Sequence, residues 1–308
     1  MINIKRILCP TDLSPYSGNA VRYALALARV HNAELILLHC TDGTESDEEL
    51  GLLESSVTEH NNLVGSRWRA VVTPADDIGE MIISQAQRER VDLIVMRSRR
   101  RPHRAALLGS IAESVCRSAP CPVLVMHNDE REFVSNDLKV DLKRVLVAYD
   151  FSDYAELALK YGLSIVQEHQ AELHLLHVLP PRSLHEPEIA WYPVQRESAY
   201  HSAARRLQRV VPADVHLWCD VKTAVSEGNP YREILHYAEK NEINLISVGA
   251  HGAGFGMRAL FGSNVDRVLR QAPCPVLVAR PLKPTIALTG LQNLQDVKTN
   301  RVHSAKAI

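Results

Sequence analysis

Apolar positions along the chain follow two alternating patterns. Short continuous runs such as LIVM (Leu93 to Met96) and RVLVAY (Arg144 to Tyr149) give way to stretches where apolar residues recur every three or four positions. Ala20, Val21, Ala24, Leu25 and Ala28 share one helical stripe, as do Ala155, Ala158, Tyr161 and Ile165. The runs predict strands covered on both faces, and the stripes predict helices with one face on a core. Strands alternating with helices of this length predict βαβ units, a parallel sheet and right-handed crossovers.

The pattern is written twice. ILCPTDLS (Ile7 to Ser14) recurs as VLVAYDFS (Val145 to Ser152), and AELILLHC (Ala33 to Cys40) as AELHLLHV (Ala171 to Val178). VDLIVM (Val91 to Met96) matches INLISV (Ile243 to Val248). GSIAESVCRSAPCPVLV (Gly109 to Val125) matches GSNVDRVLRQAPCPVLV (Gly262 to Val278). A repeat of this length is a whole domain, so two similar open α/β domains are expected. The second copy carries extra length after Val178, in LPPRSLHEPEIAWYPVQRE, which predicts a surface loop or lid. The join, Asn128 to Asp141, begins polar and charged and predicts a linker. The expected boundaries are residues 1–128, 141–282 and a C-terminal tail, 283–308.

Composition narrows the function classes. The 308 residues carry a formal net charge of −1, which gives no global attraction to nucleic acid or anionic membrane. No apolar run approaches the roughly eighteen residues that span a bilayer, and the apolar start of the chain is too short for a secretory signal. Six cysteines without a CxxC pair do not make a disulfide scaffold. A cytoplasmic protein with reduced thiols is expected.

One segment stands out for glycine. VGAHGAGFGMRALFGSN (Val248 to Asn264) holds Gly249, Gly252, Gly254, Gly256 and Gly262, then turns into the helical run VDRVLRQ. Glycine there lets the chain turn and a ligand approach without a Cβ in the way. Gly262-Ser263-Asn264 would open the last helix, whose unpaired amides and positive dipole end favour an anion. A plain flexible loop with Ser263 as an N-cap accounts for the same residues. Ligands of open α/β sheets bind beyond the carboxyl ends of the strands, which adds Asp150, Val178 and the SEGNP turn (Ser226 to Pro230) to the candidates.

Gly249-x-x-Gly252, nine residues, then Gly262-Ser263 resembles the G-2x-G-9x-G-S/T signature of the universal stress protein family. The whole chain resembles a tandem member, with the strand-one aspartate, the LLHV strand, the GNP turn, the glycine loop and the APCPVLV strand in family order. The resemblance implies Rossmann-like, adenine-nucleotide alpha-hydrolase-like domains with mainly parallel five-stranded sheets, paired through their last strands, alone or in a further homodimer. It implies ATP, with or without Mg2+, in the second domain. Adenine would lie at Asp150 and Val178, and ribose and phosphates at Gly249, Gly252, Gly262, Ser263 and Asn264, with Gly228 shaping the neighbouring turn. A nucleotide-dependent regulatory or protective role in stress response, through protein partners, would follow. A slow ATP hydrolase or phosphoryl-transfer enzyme at the same site, and a non-binding tandem scaffold, are the rival readings. No catalytic or metal residue is assigned.

The first copy departs from the signature. Arg97 and Arg100 stand where Gly249 and Gly252 stand, and TPADDI replaces the GNP turn. Asp12, Gly109 and Ser110 remain, with Asp12 read as a cap for the first helix. Little or no nucleotide binding is expected there. The basic run Arg97 to Arg104 has no interleaved aromatics for base stacking, so nucleic acid is not an expected partner. GFGMRA (Gly254 to Ala259) is a weak dinucleotide match, and there is no P-loop or G-x-S-x-G motif. His174 and His177 would point to opposite faces of one strand, which makes poor metal chelation. His251 lies in the glycine loop, where contact with a ligand and plain exposure are equal expectations. Arg258 is the nearest cation in that loop to cover phosphates, and Cys121 and Cys274 are expected as buried small hydrophobes.

Overall fold

The computed structural model describes residues 3–43, 47–58, 67–98, 109–127, 130–181, 192–251 and 263–281. The first half runs β1 (Arg6–Thr11), α1 (Gly18–His31), β2 (Glu34–Thr41), α2 (Asp47–Thr58), β3 (Arg67–Pro74), α3 (Ile78–Arg88), β4 (Leu93–Arg97), α4 (Ser110–Ser118) and β5 (Val123–Met126). The second repeats the order as β6 (Arg144–Ala148), α5 (Asp153–His169), β7 (Glu172–Leu179), α6 (Tyr192–Val210), β8 (Val221–Glu227), α7 (Pro230–Lys240), β9 (Leu245–Gly249), α8 (Ser263–Gln271) and β10 (Val276–Ala279). The predicted stripes are buried: Ala20, Val21, Ala24, Leu25 and Ala28 on α1, and Ala155, Ala158 and Tyr161 on α5.

The strands form one ten-stranded sheet in the order β3-β2-β1-β4-β5-β10-β9-β6-β7-β8. Pairs within each half are parallel, and the halves join by the antiparallel pair β5–β10, with Leu124 opposite Leu277. The sheet is covered on both faces, as its continuous apolar strands require. One core layer gathers side chains of α1, α2, α5 and α6; the other gathers those of α3, α4, α7 and α8.

Two expectations are refined. The segment after residue 130 is a packed strap rather than a loose linker. Phe133, Val134 and Leu138 are buried, Val134 bridges Val140, and the Phe133 amide donates to the Tyr23 hydroxyl at 2.9 Å. Arg131 donates to the Ile243 carbonyl at 2.7 Å, and Arg22 pairs with Glu132 at 2.6 Å, so the strap is tied to both halves. Residues 182–191 of the insertion after Val178 lie outside the described residues, and from Tyr192 onward the chain is the long helix α6.

A matched pair of residues locks the joint. Arg280, just past β10, donates to the carbonyls of Cys116 and Ala119 at 2.9 and 2.8 Å, at the C-terminal end of α4. His127, just past β5, reaches the Leu269 carbonyl at the corresponding end of α8. Each side chain is buried and satisfies helix-end carbonyls of the other half, where the helix dipole favours a donor or cation.

Candidate functional site

In the second half the chain leaves β6 towards β7 and β8 on one side and returns as β9 and β10 on the other. That reversal falls at the carboxyl ends of β6 and β9, the place where open α/β sheets take ligands. The structure brings Asp150 (two residues past β6), Val178 (near the end of β7) and Gly249 (the last residue of β9) to this edge. Gly228 follows β8, and Ser263 and Asn264 form the first turn of α8. Gly252, Gly262, Arg258 and the GFGMRA segment lie outside the described residues, as do Arg99 to Arg104 and the tail.

Asp150 builds the turn into α5. Phe151 takes a left-handed conformation (φ 62), and the Asp150 Oδ1 accepts from the Ser152 amide at 3.1 Å and its hydroxyl at 2.5 Å. Ser152 in turn caps α5 by accepting from the Ala155 amide at 3.2 Å. The first half repeats this turn: Leu13 has φ 58 and Asp12 accepts from the Ser14 amide and hydroxyl at 3.1 and 2.6 Å. The expectation that Asp12 caps the first helix is therefore corrected, because its carboxylate serves the turn before the helix.

The two described glycines have distinct physical reasons. Gly228 lies at φ 148, a region that side chains rarely adopt, and its amide donates to the Leu179 carbonyl at 3.0 Å. A Cβ on Gly249 would stand 2.7 Å from the backbone of Tyr154. The end of β9 thus packs directly onto the start of α5, and the close approach of that helix is a reason for glycine there.

At the mouth formed by α7 and α8 the second half carries cations. Arg232 donates from Nε to the Tyr231 hydroxyl at 3.0 Å, and the Arg267 guanidinium stands 4.8 Å over the same ring. These guanidiniums, the Arg232 hydrogen bond foremost, draw the Tyr231 phenol below its ordinary range. Asn229 occupies the N-cap of α7 without using its side chain, and its Oδ1 is buried with no hydrogen-bond partner among the described residues. Sequence reasoning missed this cluster, because Tyr231 and Arg267 meet only through the packing of two helices.

The first half keeps an open cleft of about 390 Å³ at the corresponding edge, lined by Asp12, Cys40, Arg97, Ser98, Gly109 and Ser110 among others. Burial pushes the Cys40 thiol up to about 11. Arg97, in the place of Gly249, stacks its guanidinium 5.1 Å over the Tyr16 ring. The Ser98 hydroxyl, where the second half has Ala250, is buried without a hydrogen-bond partner among the described residues. Around α3 the first half is acidic: Asp76 replaces Gly228, Asp77 caps the helix through the Glu80 amide, and Glu80 stands where Arg232 does.

Other candidates settle into structural roles. His174 meets the Tyr237 hydroxyl at 3.0 Å and Glu172 at 3.1 Å, while His177 packs on the Phe151 ring at 4.7 Å, on the opposite face. Burial lowers the affinity of His174 for a proton against the pull of Glu172. The His251 ring lies 4.9 Å from Tyr154, and burial lowers its pKa. Cys121 and Cys274 are buried, and burial raises both thiols. Among the described residues no group of three or more His, Cys, Asp or Glu side chains could hold a metal ion, and no helix is long and apolar enough to cross a membrane.

This doubled α/β unit is matched by the universal stress protein family model over residues 3–127 and 141–280. The chain belongs to the universal stress protein family. A universal stress protein of Mycolicibacterium smegmatis is 26% identical over 297 residues, covering 89% of this chain and 97% of its own. Another, from Mycobacterium tuberculosis, is 27% identical over 300 residues, covering 89% and 96%. Among solved structures, a functionally unknown protein of Pseudomonas aeruginosa superposes with TM-score 0.68 at 21% identity, over 96% of this chain and 98% of that one. A universal stress protein of Archaeoglobus fulgidus gives TM-score 0.58 at 24% identity, over 90% and 98%. These structures share the tandem fold.

Proposed function

We propose that the second half of this universal stress protein binds ATP at the crevice between β6 and β9 and acts as a nucleotide-dependent regulatory or protective factor in the cytoplasm through protein partners. The observation that carries the reading is the meeting of the strand-order reversal with the N-terminus of α8: Asp150 and Gly249 flank the reversal, and Ser263 begins the helix that follows β9. Amides and a hydroxyl at such a helix start suit phosphate oxygens, and each charge-assisted bond contributes roughly 1.5–3 kcal/mol. In this reading Asp150 and Val178 would take adenine, and Gly249, Gly252, Gly262, Ser263 and Asn264 would take ribose and phosphates, beside the turn at Gly228. Any Mg2+ would arrive on the phosphates of the nucleotide.

Calorimetric titration of the full chain with ATP, ADP and AMP tests the reading, alongside mass spectrometry of nucleotide extracted from the purified protein. Gly262→Leu should abolish binding, and Gly109→Leu should leave it nearly intact. Equal loss at both positions would remove the asymmetry between halves, and no binding by the unaltered protein would remove the assignment. Phosphate release with and without magnesium separates a binding module from a slow hydrolase.

A further inference from the structure

Tyr231, Arg232 and Arg267 form a cluster that neither the family motif nor the strand-order argument uses. Both guanidiniums lie within 6 Å of one ring, Arg267 at 4.8 Å and Arg232 at 5.8 Å from its centroid. Among the described residues neither is in an ion pair: Asp266, the acidic neighbour on α8, is engaged by Arg270 at 2.5 Å. Two like charges thus gather at one aromatic ring with no counterion in an ion pair among the described residues, an arrangement that an anion stabilises. Arg267 stands one turn after Ser263, and helical side chains lean towards the N-terminus of their helix, so its stem runs back over the first turn of α8. Tyr231 and Arg232 open α7 directly after the Gly228 turn. The cluster therefore borders the mouth where the phosphates of the proposed ligand would emerge.

The first half shows the opposite construction. Gly79 replaces Tyr231, and a Cβ there would stand 3.0 Å from the Ser114 hydroxyl, the residue in the place of Arg267. The helices close on each other, leaving no platform, and Glu80 replaces Arg232. Among the described residues, the start of α7 with α8 carries this pair of arginines on a tyrosine, and the start of α3 with α4 does not.

We propose that Arg232 and Arg267, held on the Tyr231 ring, form a specificity clamp for the outermost phosphate, so that the second half discriminates nucleoside triphosphates from monophosphates by charge at the ligand's far end. This rests on nucleotide binding at the α8 site. The clamp contributes nothing to a ligand that ends at its first phosphate. The amides and Ser263 hold that phosphate in either case.

The test is calorimetric titration of ATP, ADP and AMP against the unaltered full chain, Arg232→Gln/Arg267→Gln and Arg232→Lys/Arg267→Lys. Affinity of the glutamine variant for ATP should fall by about tenfold or more, as expected for losing charge-assisted bonds, with AMP affinity changed by less than about twofold. The lysine variant should recover part of the discrimination, since it keeps the charge and loses the fork. The salt dependence of ATP binding should flatten in the glutamine variant only. A parallel loss for all three nucleotides, or no loss for any, overturns the clamp while leaving the nucleotide site standing. Failure of the unaltered protein to bind any nucleotide overturns both. Should the double variant melt early, Tyr231→Phe, which removes only the hydroxyl that orients Arg232, carries the same comparison: ATP weakened more than AMP supports the clamp, and no difference refutes it.

Discussion

The same position carries Arg97 in one half and Gly249 in the other, and the helix that follows strand one responds. In the second half Tyr154 lies within the first turn of α5, pressed against the glycine, and Ser152 caps that helix. In the first half Tyr16, the matching residue, sits in a 3-10 turn (Pro15–Ser17), is 62% exposed and takes the Arg97 guanidinium over its ring. A Cβ at the end of the strand and a regular helix start cannot share one place. Two copies of one unit have resolved that conflict in opposite ways, and the crevice chemistry has diverged with them: cations around α7, carboxylates around α3.

The sharpest way to break this comparison is to exchange the deciding residue. Gly249→Arg should destabilise the protein by about 3 kcal/mol in urea unfolding and abolish ATP binding, because it drives a side chain into the Tyr154 backbone. Arg97→Gly should change stability by less than about 1 kcal/mol, and equal costs would show that the two helix starts are interchangeable. Next in size is the joint. Arg280→Ala leaves the buried carbonyls of Cys116 and Ala119 unsatisfied and should cost about 2 kcal/mol, more than His127→Ala, which frees fewer acceptors. Gly228→Ala, strained at φ 148, should cost about 1 kcal/mol, whereas Asp76→Gly at the matching turn should cost less than half of that by the same unfolding assay.

The smallest effect concerns His31 and His169, matched residues at the ends of α1 and α5 that line one apolar cavity between the halves. Burial lowers both pKa values, the nearness of His31 lowers that of His169 further, and Glu168 opposes both shifts. The folded state then binds fewer protons than the unfolded chain just below the ordinary histidine value of about 6.5. Stability is held above that pH and falls as pH drops from it towards the depressed folded values. His31→Gln/His169→Gln should flatten the slope of stability below about pH 6.5; an unchanged slope would assign it to His174 or His251, which are shifted the same way.

Much of this was legible in the sequence, for physical reasons. Continuous strands and three-to-four spacing are local, so both copies, their helices and their core faces could be read from residues such as Ala24 and Ala158. That Asp150, Val178 and Gly249 share the carboxyl edge of the sheet could be read because strand-end residues follow from strand order. What escaped depends on contacts between distant segments. Phe133, Val134 and Leu138 are scattered among charges, and only the meeting of the strap with Tyr23 shows that they are buried. Tyr231 and Arg267 come together through the packing of α7 on α8, and the packing role of Gly249 is invisible without the Tyr154 backbone beside it. Arg280 and His127 each serve a helix written far away in the chain.

That last pair bears on how the protein comes apart. Pulling the two halves apart would bare β5 and β10 as sticky, unpaired sheet borders, each carrying a Val-Leu-Val run. A released half would then recruit a second copy of itself across that border, forming a two-fold homodimer in which the residue beyond the last strand caps the neighbouring copy's helix. Intact, the tether keeps the correct mate always at hand, and the halves should melt together in one calorimetric transition.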